Sequence, residues 1–163
     1  MARRLDKDGF KVYACCLFAD GDGAKQLKAD CSSKLTIVKL DVTFDEDVEL
    51  AYRKIEDDLK DTGYCKLTKM SSLSVHIIMD CNFNVDKTHR PDLHAVVNNA
   101  GILYTGEIEF GPGIESSEKQ VAVNCLGLMR VTKAFTPLLR RCKNAPRLVN
   151  ITSMAARISL PGK

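Results

Sequence analysis

The sequence has no Trp, few Pro, and aromatic residues at only 6% of its 163 positions. No apolar run approaches the roughly 18 residues of a membrane span. Met1-Ala2-Arg3-Arg4 has no apolar signal core behind it, so the chain as given is expected to be cytoplasmic. Nor is there a long block of one charge. The 24 Lys+Arg and 21 Asp+Glu leave a net charge of +3, which gives no electrostatic case for nucleic acid or for a polybasic membrane anchor. One basic stretch, Arg130, Lys133, Arg140, Arg141, Lys143 and Arg147, falls near the end of a predicted helix. Cations there complement the helix dipole, and the stretch reads as a solvated face.

What is present is a globular composition, 45% hydrophobic, in a chain long enough to form one domain with a buried core. The seven Cys are odd in number, and the adjacent Cys15-Cys16 would point to opposite faces of a strand. Both features argue against a secreted disulfide framework. Cys65, His76, Cys81 and His89 share one segment but lack the short pairings that let a turn present two metal ligands, so no metal site is expected.

Strand and helix signals alternate. Ala2 to Asp8 reads as the last turns of a helix stopped by Gly9. Val12 to Leu17 is a β-prone run, Gly23 to Asp30 a brief helix, and Leu35 to Val42 a second strand. Thr43 and Glu46 have the spacing of a capping box. The helix behind them carries Val48, Ala51, Tyr52, Ile55 and Leu59 on one stripe and ends at Gly63. Leu93 to Val97 is a buried-strand run. A long helix is predicted from Ser117, with Gln120 completing another capping box, to about Cys142. Its inner side is Val121, Leu128, Val131, Phe135, Leu138 and Leu139, with Pro137 as a bend. Arg147 to Ser153 is the last strand. This alternation predicts right-handed β-α-β crossovers and a parallel sheet covered on both faces.

In such sheets ligands bind at the carboxyl ends of the strands. The polar residues there are Asp41, then Asn98-Asn99-Ala100-Gly101, then Thr152-Ser153. Each alone is ordinary turn or cap chemistry. Their succession is not. Leu40-Asp-Val-Thr43, Asn98-Asn-Ala-Gly101, Val123-Asn-Cys-Leu-Gly127 and Val149-Asn-Ile-Thr-Ser153 resemble the short-chain dehydrogenase/reductase family, in its retinol and hydroxysteroid dehydrogenase branch. The resemblance implies an α/β fold, an incomplete Rossmann-type doubly wound parallel sheet over 1–163. It also implies NAD or NADP as cofactor and a hydrophobic alcohol or ketone, such as a retinoid or steroid, as substrate. By the same resemblance Asp41 and the Val42 backbone would meet the adenine, and Asn98, Asn99, Ala100 and Gly101 would wall the ribose. Asn124 would support a proton relay through water, and Ser153 would hold the substrate oxygen.

The sequence departs from the family pattern at three places. The Tyr-x-x-x-Lys motif expected beyond Ser153 and the glycine-rich turn expected before Ala2 are not in these 163 residues, and about thirty residues, 64–92, intervene before Leu93. The expectation is a partial chain, inactive alone and binding the dinucleotide weakly. The 64–92 insert is expected outside the sheet, as sequence not selected for this fold. The alternative is a non-catalytic interaction module, or pseudoenzyme, pairing with an intact member through the 117–142 helix, which would equally serve a homo-oligomer. Relatives of this branch are often attached to the endoplasmic reticulum membrane or lie in mitochondria.

Overall fold

A computed structural model describes residues 1–61, 74–79, 92–106, 109, 111–153 and 157; for 74–79 only the backbone is described. A short helix, α1 (Ala2–Lys7), leads into β1 (Lys11–Cys16), and Gly9 makes the turn between them at a φ of +89°, where a side chain would be strained. There follow α2 (Asp22–Ala29), β2 (Leu35–Lys39) and α3 (Asp45–Asp61), then β3 (Ser74–Met79) and β4 (Leu93–Asn98). The long helix comes next in three parts: α4 (Ile114–Val121), a π-helical turn (Ala122–Gly127) and α5 (Leu128–Arg141). β5 (Arg147–Asn150) closes the order.

One sheet runs β2-β1-β3-β4-β5. β1 pairs parallel to β2, and β4 parallel to β5, as expected of an α/β crossover fold. The centre departs from expectation. β3 pairs antiparallel with both β1 and β4, setting Ile77 opposite Tyr13 on one side and Val96 on the other. The 64–92 segment therefore supplies a central strand, and the expectation that it lies outside the sheet is corrected. The reason lies in hydrogen bonding: without β3, the facing edges of β1 and β4 would leave their N–H and C=O groups unpaired in the middle of the molecule. Val75-His-Ile-Ile-Met79 is β-branched and apolar enough to fill that place.

The main core lies between the sheet and the pair α3 and α5. Tyr13, Ile55, Val96, Val131 and Phe135 are fully buried there, and the Tyr52 and Phe135 rings meet with centroids 5.7 Å apart. The predicted stripe of α3 is the buried one, at Val48, Ala51, Ile55 and Leu59, with Tyr52 packed partly buried beside it. Each such aliphatic side chain contributes about 1.5–3 kcal/mol by leaving water. Two ion pairs fasten α5 to the acidic side, Arg130 to Asp45 at 2.9 Å and Arg141 to Glu56 at 2.7 Å.

Three local expectations change. The Thr43–Glu46 capping box does not form: the Thr43 hydroxyl donates to Asp41 Oδ1 at 2.6 Å, and α3 starts at Asp45. The long helix starts at Ile114 rather than Ser117, and Gln120 Oε1 instead accepts the Tyr104 N–H at 3.1 Å. Val121 is more than half exposed, while Val131, Phe135, Leu138 and Leu139 are buried as expected. The π turn between them explains the difference, because its wider winding rotates the residues before it away from the face that α5 presents inward.

Candidate functional site

A cavity of about 500 Å³ opens at the carboxyl ends of β1 and β2. Its floor is the end of β1, Ala14 to Cys16, and one wall is the start of α2 from Gly21 to Ala24 with Leu27. Leu40, Asp41 and Val42, directly after β2, form the opposite wall. Ala100, Gly101 and Ile102 after β4, with Val123 from the π turn, close the third side. This is the position at which an open α/β sheet binds its ligand, since the strand ends leave a crevice there that no helix fills.

Asp41 is held in place from its own backbone outward. Its Oδ1 accepts the Thr43 N–H at 2.9 Å and the Thr43 hydroxyl, while its N–H donates to Asp47 Oδ2 at 3.0 Å. That backbone N–H, with Lys39 at 3.1 Å, keeps the Asp47 carboxyl below its usual range. Asp41 Oδ2 has no partner among the described residues. A carboxylate with one oxygen committed to its own turn and the other open is suited to accept from an amine that enters the cavity.

The thiols in the floor remain protonated. Burial pushes the Cys15 thiol far up, and burial together with the Asp20 charge raises that of Cys16. They supply neutral, polarisable wall and no thiolate nucleophile.

The other residues singled out from the sequence divide between the cavity and its supports. Val42, Ala100 and Gly101 line it beside Asp41; Asn98 and Asn99 do not. Asn98 is buried, and its Nδ2 donates to Thr132 Oγ1 at 3.0 Å and Asn150 Oδ1 at 2.9 Å, while its carbonyl accepts the Ile151 N–H at 2.8 Å. It thereby joins β4, β5 and α5 just before the chain reaches Ser153. Asn124, in the π turn, grips the backbone of Ile102 with both ends of its amide, accepting at 2.9 Å and donating at 2.8 Å. This fixes the loop that carries Gly101 along the cavity. Ser153 stands three residues beyond β5, exposed, and outside the cavity wall.

Sequence reasoning missed several wall residues. Gly21 and Gly23 both line the cavity with Cys16, Phe18 and Ile102, and none of these was singled out from the sequence as a site residue. The glycines' place between the end of β1 and the first turn of α2 was the available signal. Gly127 packs behind the wall: a Cβ there would lie 2.5 Å from Val42 Cγ2, so only glycine lets the helix close on Val42. Among the described residues no group of three or more His, Cys, Asp or Glu could hold a metal, and the side chains of Cys65, His76, Cys81 and His89 lie outside them.

Residues 80–163, just over half of the chain, match the family model described as short chain dehydrogenase. The chain belongs to the short-chain dehydrogenase family. Within it, the relatives place the chain in the retinol and hydroxysteroid branch. It is 35% identical over 161 residues to estradiol 17-beta-dehydrogenase 2 of Mus musculus, covering 98% of this chain and 34% of that one. It is 35% identical over 165 residues to the mitochondrial D-beta-hydroxybutyrate dehydrogenase of Mus musculus, covering 100% of this chain and 39% of the other. Retinol dehydrogenase 16 of Rattus norvegicus is 31% identical over 166 residues, with 99% and 41% covered. This short-chain dehydrogenase chain thus spans between a third and two fifths of the length of these relatives.

Two solved structures bear out the fold. Serine dehydrogenase from Escherichia coli superposes with a TM-score of 0.63 at 24% identity, covering 99% of this chain and 58% of that one. The NADPH-bound carbonyl reductase from chicken fatty liver gives 0.64 at 20% identity, covering 88% and 48%.

Proposed function

We propose that the cavity is the adenosine half of a nicotinamide dinucleotide site, NAD or NADP, in an oxidoreductase acting on the CH–OH group of a retinoid, steroid or similar hydrophobic alcohol. The observation that carries this reading is the open Oδ2 of Asp41 in the wall of a nucleoside-sized cavity at the strand ends. Asp41 and Val42 would hold the adenine, and Ala100 and Gly101 the ribose. A dinucleotide held there would supply hydride transfer to or from the carbinol carbon. In this chain Asn124 keeps Gly101 in position through Ile102, and Asn98 aligns the end of β5, from which Ser153 would hydrogen-bond the substrate oxygen. The relatives named for estradiol and retinol support an apolar substrate.

The 163 residues alone are expected to be inactive. Purified chain incubated with retinol, a hydroxysteroid or 3-hydroxybutyrate should give no turnover above a heat-killed control. Asp41→Asn should weaken adenosine binding by about tenfold in equilibrium titration; unchanged binding would remove Asp41 from the site. In a whole protein that turns over, Ser153→Ala should lower kcat by about 100- to 1,000-fold, as loss of an oxyanion donor does.

A second reading, association with another copy or with an intact family member through the 117–142 helix, is favoured by one observation. Val121, Leu126 and Met129 are apolar and largely exposed on that helix. Sedimentation velocity of the chain and of Met129→Glu checks it, with a dimer lost in the variant as the supporting result. We place the chain in the cytosol. The described cysteines form no disulfide, and among the described residues no helix is long and apolar enough to cross a membrane.

A further inference from the structure

The cavity wall contains two charged groups, Asp22 and Asp41, and both are carboxylates. Among the described residues no Lys or Arg lines it to balance them. The first turn of α2, whose amides would attract an anion, already carries Asp22. A phosphate drawn in here would meet like charge on both sides.

A second, independent observation concerns the sheet. In the doubly wound order 3-2-1-4-5-6, the strand between the two corresponding to β1 and β4 ends in the turn and helix start that receive the pyrophosphate. Here β3 occupies that place, hydrogen-bonded on both sides and running the other way. Ser74 pairs with Cys16, so β3 begins at the cavity end of the sheet, where a phosphate-binding strand would finish. A strand that begins there cannot lead into a helix whose amino end faces the crevice. Pairing on both edges also closes the slot to any other strand.

We propose that the cavity of this chain takes an uncharged, amine-bearing purine nucleoside, adenosine by its chemistry, and that the phosphates of a dinucleotide add no affinity. This rests on the assignment of Asp41 and its cavity to adenine made above. The amine donates to the open Asp41 oxygen, the ribose meets the Gly101 loop, and the carboxylate of Asp22 disfavours a phosphate at the rim.

The test is calorimetric titration of the full chain with adenosine, inosine, adenosine 2′-phosphate and NAD. The expected result is NAD within about threefold of adenosine, with inosine and adenosine 2′-phosphate each about tenfold weaker. Inosine fails because its ring carbonyl faces a carboxylate, and the 2′-phosphate because it meets Asp22. Asp22→Lys, at an exposed position, should narrow the gap between adenosine 2′-phosphate and adenosine by about tenfold, measured within the one variant. NAD tighter than adenosine by about tenfold or more overturns the proposal and leaves the adenine assignment standing. Binding of none of the four ligands overturns both.

Discussion

β1 and β5 are both short, β-prone strands of the same sheet, yet four of the six residues of β1 are buried and all four residues of β5 are exposed. The difference is one of neighbours. β1 has β2 on one edge and β3 on the other, with the main core against Tyr13 and Cys15, whereas β5 has, among the described residues, β4 alone as a strand partner. Leu148, Val149 and Ile151 stay in water although their side chains are as apolar as Val12. The proposed site residues divide in the same way. Asp41 sits in a walled cavity beside β1, with its hydrogen bonds spent on fixing it, and Ser153 stands exposed beyond β5. The two halves teach that the cavity side of this fold is fixed by local packing. The β5 side is left exposed beside β4 and α5.

The sharpest way to break that contrast is to remove the strand that buries β1. Ile77→Pro deletes a ladder N–H from the sheet centre, and we expect a loss of about 3 kcal/mol or more, with cooperative urea unfolding abolished. An unchanged midpoint would mean that β3 does not hold β1 and β4 together. Phe135→Ala should cost about 3–5 kcal/mol, because the ring is fully buried against Tyr52 and nothing adjacent can fill its space. The two strands can then be compared with one substitution. Val12→Ala should cost about 2 kcal/mol and Val149→Ala under about 0.5, both read from urea midpoints with constant slope. Equal losses would show that β5 is covered.

The smallest effect is electrostatic. The Arg141 guanidinium beside Glu56, and the Asp41 N–H with Lys39 beside Asp47, hold both carboxyls below their usual range. Groups lowered in the folded state contribute stability that is complete above the ordinary carboxylate pKa of about 4 and is lost as pH falls through the lowered values. Screened as they are by water, they should be worth about 0.2–1 kcal/mol each. Urea midpoints at about pH 7 and pH 3 measure this, and Glu56→Gln should reduce the difference.

The places of β1, β2, β4, β5 and α3 follow from runs and periods that a local window can see, as does the α/β class. The Asp41-Val42 and Asn98–Gly101 positions were visible for the same reason: they close strands, and strand ends are where such sheets bind. Other features depended on partners far away in the chain. Thr43 bonds Asp41 in preference to capping α3, Gln120 reaches back to Tyr104, and the π turn rotates Val121 outward. None of these changes the local pattern that suggested otherwise.

Outside residues 64–92 the sequence alone thus determined which segments are strands and helices, and which strand ends carry polar groups, because both are set by neighbouring residues. Only the tertiary structure decided that Val75 to Met79 runs antiparallel through the middle of the sheet. Its hydrogen bonds go to Tyr13 and Val96, tens of residues away on either side, and a β-branched run has no local feature that names its partner or its direction. The same long-range choice placed two carboxylates and, among the described residues, no cation around the cavity, since Asp22 and Asp41 share its wall only when β1 and β2 lie side by side.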